Sequence, residues 1–176
     1  MSTEPQPQTD LSPDALSEMM AEFSKPAAQH ELLARMAGTF EATHRFWAFP
    51  GQDPMVSEGV STSELRFGGR YLATTYVCEA MGFEGRGLVG YDKASEQYVS
   101  TWHDNMGTNV MVAKGNLRED GALELCGDDL CPQTKKPMTV RQVYYFDDAN
   151  HMRWEMHMGT DEGEAKSMDC EYRKRV

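Results

Sequence analysis

A histidine and an aspartate stand side by side in the segment Ser100–Thr108, which reads STWHDNMGT. His103 and Asp104 are the residue types of a general acid–base pair, and both can also bind metals. The segment has the composition of a β-strand, in which neighbouring side chains point to opposite faces. The two side chains are therefore not expected to share one site, and Trp102 predicts that Asp104 lies on the apolar face.

The elements that position these residues are predicted from the alternation of Thr, Val, Tyr, Phe and Trp with turn residues after Gly38. The pattern predicts strands near 39–48, 58–67, 71–80, 83–91, 97–104, 108–117, 122–128, 138–146, 151–158 and 165–174. Short turns favour antiparallel neighbours. An open sheet of about ten strands would expose two unpaired edges, which closure removes. The sequence thus predicts a mainly β protein, a closed antiparallel up-and-down barrel of about ten strands.

The N-terminal part has a different composition. Residues 1–26 predict a polar segment, partly helical or disordered, ahead of a single barrel domain over 27–176. Ser12 and Pro13 are typical of the start of a short helix. A second helix is predicted over 27–37, where Leu32, Leu33 and Met36 form one apolar face that we expect to pack on one opening of the barrel.

Alternation along the strands separates inward from outward side chains. In HMRWEMHM, at 151–158, the tryptophan and methionines share one face, and His44 shares the face of Phe40. An apolar and aromatic lining with a few polar groups is typical of a small-molecule pocket. The candidate ligand-binding residues are His44, Tyr76, Trp102, Asp104, Met111, Tyr144, Trp154 and Met156. Each also admits a structural role: the histidine, tryptophans and methionines in core packing, and the aspartate in capping a turn.

Charge and cysteine content exclude several classes of protein. A formal net charge of −11 argues against binding to nucleic acid or to an anionic membrane surface. No apolar run approaches the ~20 residues of a membrane span, and the polar N-terminus does not resemble a secretory signal. The four cysteines are therefore expected to be reduced, and a cytoplasmic location is predicted.

Two further motifs lack the spacing or the context of the functional sites that they resemble. Cys126 and Cys131 in CGDDLC lack the spacing of a zinc site, so no metal is predicted. The glycines of GFEGRGLVG, at 82–90, fall in a strand pattern with no helix after it. They therefore predict bends in the barrel wall rather than a phosphate loop.

Several motifs together resemble a known family. They are KPAAQHELLARMAGTFEATHRFWAFPGQDP, FGGRYLATTY, FEGRGLVGYDKASEQYVSTWHDNMGT and KSMDCEYRKR, which run from about Lys25 to the C-terminus. The chain resembles the bacterial domain-of-unknown-function family numbered 1579. The resemblance implies a calycin-like, lipocalin-like barrel and no particular activity. The family pattern covers Trp102 and Asp104, whereas His44 and His103 depart from it.

The sequence leaves four functions open. The first is a barrel that binds a small, partly apolar molecule. The second is an enzyme in which His44 or Asp104 acts as general base and Tyr76 or Tyr144 as acid. The third is a protein that binds haem through one histidine, although no cofactor is predicted. The fourth is a structural domain with a filled lumen, and a homodimer is a possible state in each case.

Overall fold

The computed structural model describes residues 12–49, 51–131, 134–160 and 163–175. Part of the predicted N-terminal segment thus lies outside the described residues. Helix α1 spans Pro13–Ser24, and its cap Ser12 accepts a 3.2 Å hydrogen bond from the backbone N–H of Ala15. Proline suits the first helical position because its missing N–H would have no partner there. Within these described ranges, no helix is long and apolar enough to cross a membrane.

Ten strands follow the helical segment. They are β1 Gly38–Phe46, β2 Met55–Arg66, β3 Tyr71–Cys78, β4 Phe83–Asp92, β5 Gln97–Asp104, β6 Met111–Leu117, β7 Leu123–Leu130, β8 Pro137–Phe146, β9 His151–Thr160 and β10 Gly163–Lys174. Each strand pairs antiparallel with the next one along the chain, and β1 also pairs with β10. The predicted closed up-and-down barrel is confirmed, and its strands lie close to the predicted ranges.

One end of the barrel is closed by the second helical segment. Leu33 of helix α2, Glu31–Arg35, is fully buried, and it belongs to the same core as Phe40 and Leu123 of the barrel. The Tyr98 hydroxyl on β5 donates a 2.8 Å hydrogen bond to the carbonyl of Gln29, which fixes the segment over the opening. The predicted packing of this helix on one opening is therefore present.

Two of the boundaries that differ from the sequence prediction have a local explanation. The helix expected over 27–37 is divided into a 3-10 turn, Ala28–His30, and the short helix α2, and the ring of His30 accepts a 3.0 Å hydrogen bond from the N–H of Ala27. The strand expected from 108 begins at Met111. The Asp104 carboxylate accepts a 2.9 Å hydrogen bond from the N–H of Met106, which starts a loop at the predicted end of β5. This loop extends over the first residues of the strand expected from 108.

Ion pairs cover the outer face of β1 and of β7–β10. Arg45 lies 3.0 Å from Asp169 and 2.9 Å from Glu171. Arg141 pairs with Glu164 and lies 3.2 Å from Glu124. This side of the barrel therefore faces solvent with its charges matched locally.

Candidate functional site

The eight predicted site residues all lie on the inner face of the barrel, and most of them lie in the half away from α2. On β1, β3 and β5 they are His44, Tyr76, Trp102 and Asp104; on β6, β8 and β9 they are Met111, Tyr144, Trp154 and Met156. Trp102 lies opposite Met111 in the ladder, and Tyr144 lies opposite Trp154. We call this space the chamber: the inner half of the barrel lined by His44, Tyr76, Trp102, Gln142, Tyr144, Trp154 and Tyr172.

The His44 ring is surrounded by three aromatic side chains. Its ring centroid lies 4.7 Å from that of Tyr76, 6.0 Å from that of Trp154 and 6.3 Å from that of Tyr172. Burial lowers the pKa of His44 to about 4, and the charge of Asp169 opposes this shift only weakly. The imidazole is therefore neutral at pH 7. Neither ring nitrogen has a hydrogen-bond partner among the described residues.

The Tyr76 hydroxyl is the second unpartnered group of the chamber. Tyr76 is 6% exposed, and its oxygen makes no hydrogen bond of regular geometry within the described part of the chain. Burial raises the pKa of the phenol, and the neighbouring Cys78 adds to this rise, whereas the hydroxyl of Ser57 acts in the opposite direction. A buried hydroxyl without a partner costs free energy, on the order of 1–3 kcal/mol. Such a group needs a structural or functional explanation.

Gln142 organises the opposite side of the chamber, and the sequence reasoning missed it. Its Oε1 accepts hydrogen bonds from Trp154 Nε1 at 3.3 Å and from the Tyr144 hydroxyl at 3.5 Å. Its Nε2 lies 3.8 Å from the sulfur of Met111. The signal was available in TVRQVYYF, where Gln142 is the polar residue in an otherwise inward apolar series.

Two tyrosines of the chamber are enclosed by protein but keep part of their residue surface accessible. Tyr144 and Tyr172 are surrounded by protein, and burial raises the pKa of both phenols. Each residue nevertheless keeps partly exposed surface. His44 is also partly exposed and lies two residues from the end of β1.

Both carboxylate oxygens of Asp104 accept hydrogen bonds from within the protein. One carboxylate oxygen accepts a 3.0 Å hydrogen bond from Trp102 Nε1, and the other accepts the 2.9 Å bond from the N–H of Met106. His103, its neighbour, is exposed on the outer face. The two side chains thus do not form an acid–base pair. Asp104 orients Trp102 and fixes the loop after β5.

The glycines of β4 make room for the Trp102 indole. A Cβ atom added at Gly85 would lie 2.2 Å from Trp102 Cζ2, and one added at Gly87 would lie 2.9 Å from Cε3. Gly85 and Gly87 pair with Asp104 and Trp102 in the ladder. The sequence predicted that these glycines allow the wall to bend. The structure shows in addition that, because they lack a side chain, the indole can lie directly against the strand.

The groups of the chamber suit binding better than proton transfer. A histidine whose pKa is lowered to about 4 is a weak base at neutral pH, and the raised pKa of Tyr76 makes it a poor acid. No group of three or more His, Cys, Asp or Glu side chains among the described residues could hold a metal ion. Cys78, Cys126 and Cys170 are free thiols.

The protein is an antiparallel ten-stranded β-barrel. A helical segment closes one end, and the interior is lined by aromatic side chains together with a few polar groups. The chain belongs to the family described as Protein of unknown function (DUF1579), whose model matches residues 25–174. This family is the one indicated by the sequence motifs. No curated protein matches the chain.

A solved structure shares the barrel fold. The crystal structure of Rv2717c from M. tuberculosis is similar, with a TM-score of 0.59 at 14% identity, over 86% of this chain and 100% of that one. A redesigned β-barrel also matches, with a TM-score of 0.36 at 12% identity, over 82% of this chain and 95% of that one. At 14% identity the likeness to Rv2717c concerns the barrel fold alone.

Proposed function

We propose that the chamber binds a small, uncharged, partly apolar molecule. The observation that carries this proposal is the buried Tyr76 hydroxyl, which has no hydrogen-bond partner of regular geometry among the described residues and whose ring lies 4.7 Å from the neutral ring of His44 in an aromatic enclosure. Buried polar groups are normally paired, because desolvation without a partner is costly. A ligand that offers hydrogen-bonding groups to the imidazole and the phenol would supply the missing partners.

The chemistry of the lining favours a neutral ligand. His44 is uncharged at pH 7, and the carboxylate of Asp104 is committed to Trp102 and the following loop. A charged ligand would lose its hydration without meeting an opposite charge. Aromatic faces from Trp154 and Tyr172 would instead contact an apolar body, as in most small-molecule sites.

Titration with a neutral fluorescent probe, N-phenyl-1-naphthylamine, tests the proposal. We expect saturable binding that enhances probe emission and quenches tryptophan emission. His44→Phe fills part of the chamber and removes both ring nitrogens, so it should weaken binding at least tenfold. The matched control is His103→Phe, which places the same change on the outer face and should leave the affinity unchanged. Absence of saturable binding to the wild-type protein, or equal affinities in both variants, would contradict the proposal.

Native mass spectrometry and an absorption spectrum of the protein purified from cells separate the remaining alternatives. A retained organic mass below about 1 kDa supports the chamber as a ligand site. A Soret band would instead indicate haem on a chamber histidine, which the proposal does not include. A bare mass together with no probe binding would indicate a structural domain with a filled lumen. Fractionation of the source cells would test the proposed cytoplasmic location.

A further inference from the structure

We infer that two copies of this chain associate by placing helix α1 of each copy against the outer wall of β2 and β3 of the other. The inference does not depend on the ligand chamber. It starts from α1, a regular amphipathic helix none of whose residues is buried. Leu16, Met19, Met20 and Phe23 lie at i, i+3, i+4 and i+7, so they share one face. They are between 43% and 63% exposed.

A helix of this length is not stable alone. α1 has 12 residues, and isolated helices of ~12–15 residues are marginal in water even with good helix formers. Its acidic residues Asp14, Glu18 and Glu22 lie on the opposite face, where they can remain in water. The apolar face thus requires a surface to cover it.

The wall of β2 and β3 offers such a surface. It carries a depression in which Val60 lies opposite Val77 and Thr62 lies opposite Thr75 across the ladder, with Ala73 beside them. The remaining lining residues, Glu64 and Arg66, form an ion pair with each other. The depression is therefore locally neutral on a chain whose formal net charge is −11.

Charge explains why this wall suits a second copy. Two strongly acidic chains repel each other, and α1 itself carries acidic residues on its outer face, so a wall without net charge is the surface that repels the helix least. The outer face of β1 and β7–β10 is instead covered by ion pairs, whose partners would lose water on contact. A neutral, slightly concave wall built from Val, Thr and Ala side chains can accept an apolar helix face at little electrostatic cost.

The position of α1 allows a reciprocal arrangement. Arg70 Nε, in the turn between β2 and β3, donates a 2.8 Å hydrogen bond to the carbonyl of Ser24, and Lys93 Nζ donates a 2.9 Å bond to that of Glu22. The C-terminal end of the helix is thus held at the end of the barrel where β2 and β3 turn. A two-fold axis beside this turn would place each helix on the other copy's wall.

The area is sufficient for a stable pair. α1 is about 18 Å long, and its four apolar side chains present roughly 400 Å² of exposed surface, at about 200 Å² for each large side chain. Each copy contributes one helix and one wall of similar area. The two contacts together would bury about 800 Å² per copy, which is the size of a standard specific interface.

Light scattering coupled to size-exclusion chromatography of the full chain tests the inference. We expect a mass of twice 19.8 kDa for the wild-type protein at micromolar concentration. Met20→Glu on the apolar helix face, and Thr75→Arg in the depression, should each raise the dimer dissociation constant at least tenfold. The controls are Ser17→Glu on the polar helix face and Asn116→Arg on the exposed outer face of β6, which should both remain dimeric. A monomeric wild-type protein, or dimers that survive Met20→Glu, would overturn the inference.

Cysteine cross-linking identifies which wall the helix contacts. The background carries Cys126→Ser and Cys131→Ser, which removes the two cysteines that are not buried. One copy carries Met20→Cys and the other Thr75→Cys. We expect an intermolecular disulfide when the two are mixed and oxidised. If the doubly substituted chain forms the same bond only within one molecule, the helix covers its own wall and the second copy is excluded.

Discussion

Trp102 and Asp104 share the inner face of β5, and the indole Nε1 of the first donates a 3.0 Å hydrogen bond to the carboxylate of the second. The same carboxylate accepts the N–H of Met106, so a single side chain positions a chamber wall and the loop beside it. The hydrogen bonds of Asp104 are thus directed to the protein. This distinguishes it from Tyr76, whose buried hydroxyl has no hydrogen-bond partner of regular geometry among the described residues.

Asp104→Asn should therefore act on stability. An amide has one acceptor oxygen for two donors, and its NH₂ would face an N–H group. We expect a loss of about 1–2 kcal/mol in the free energy of unfolding, measured by urea denaturation. Affinity for N-phenyl-1-naphthylamine should change less than twofold. A tenfold loss of probe affinity with an unchanged urea midpoint would instead assign Asp104 to the ligand.

Trp102→Ala should cost about 3 kcal/mol, at the lower end for a large aromatic residue because the indole is only partly buried. Gly85→Ala tests the same contact from the other side, since its new methyl group would meet the indole ring. We expect that variant to lose about 1–3 kcal/mol. In the double variant the two losses should not add, because the ring that the methyl group displaces is absent. Additive losses in a urea-denaturation cycle would show that the two residues do not interact.

The pH dependence of stability should carry a contribution from His44. Its pKa is about 4 in the folded protein against an ordinary value of 6.5, so the unfolded chain binds more protons between these values. Stability from this group is full above pH 6.5 and is lost as pH falls toward 4. Urea denaturation from pH 4 to 7 should show a shallower slope in His44→Gln than in the wild-type protein. His103→Gln, on the outer face, serves as the control, and identical slopes in His44→Gln and the wild-type protein would contradict a buried neutral histidine.

Thiol labelling should follow burial. Cys78 and Cys170 are each 1% exposed, and burial raises the pKa of the Cys170 thiol. Cys126 is exposed on the outer face. A maleimide reagent followed by peptide mass spectrometry should label Cys126 within minutes in the folded protein, while Cys78 and Cys170 react only after denaturation. Rapid labelling of Cys170 in native buffer would mean that reagents enter the chamber freely.

Strand alternation made most of the barrel predictable, because a two-residue period in composition specifies both the strand and its inner face. It placed His44 and Phe40 on one face of β1, and Trp102 and Asp104 on one face of β5. It could not give the stagger of the strands around the barrel, which decides which inner residues meet. The contact between His44 and Tyr76 therefore had no signature in the sequence.

Gln142 was missed for a related reason. Alternation in TVRQVYYF places Gln142 on the inner face with Val140 and Tyr144, but it does not show which side chains the glutamine meets there. Its role depends on Trp154 from β9 and Met111 from β6, which are far from it in sequence. Likewise, the protonation state of His44 follows from packing around the ring rather than from any local motif.

The pairing of β1 with β10 has a consequence for how the chain reaches this fold. Phe40 lies opposite Lys174, so the seam of the barrel joins residues from nearly opposite ends of the domain. Contacts over such separations form slowly, because closing the long intervening loop costs entropy before the new contacts compensate for it. Until the seam forms, β1 and the last folded strand each present an unpaired edge. During synthesis these edges can therefore pair with the wrong strands until β10 emerges from the ribosome. The pairing of β10 with β1 closes the barrel and removes both edges.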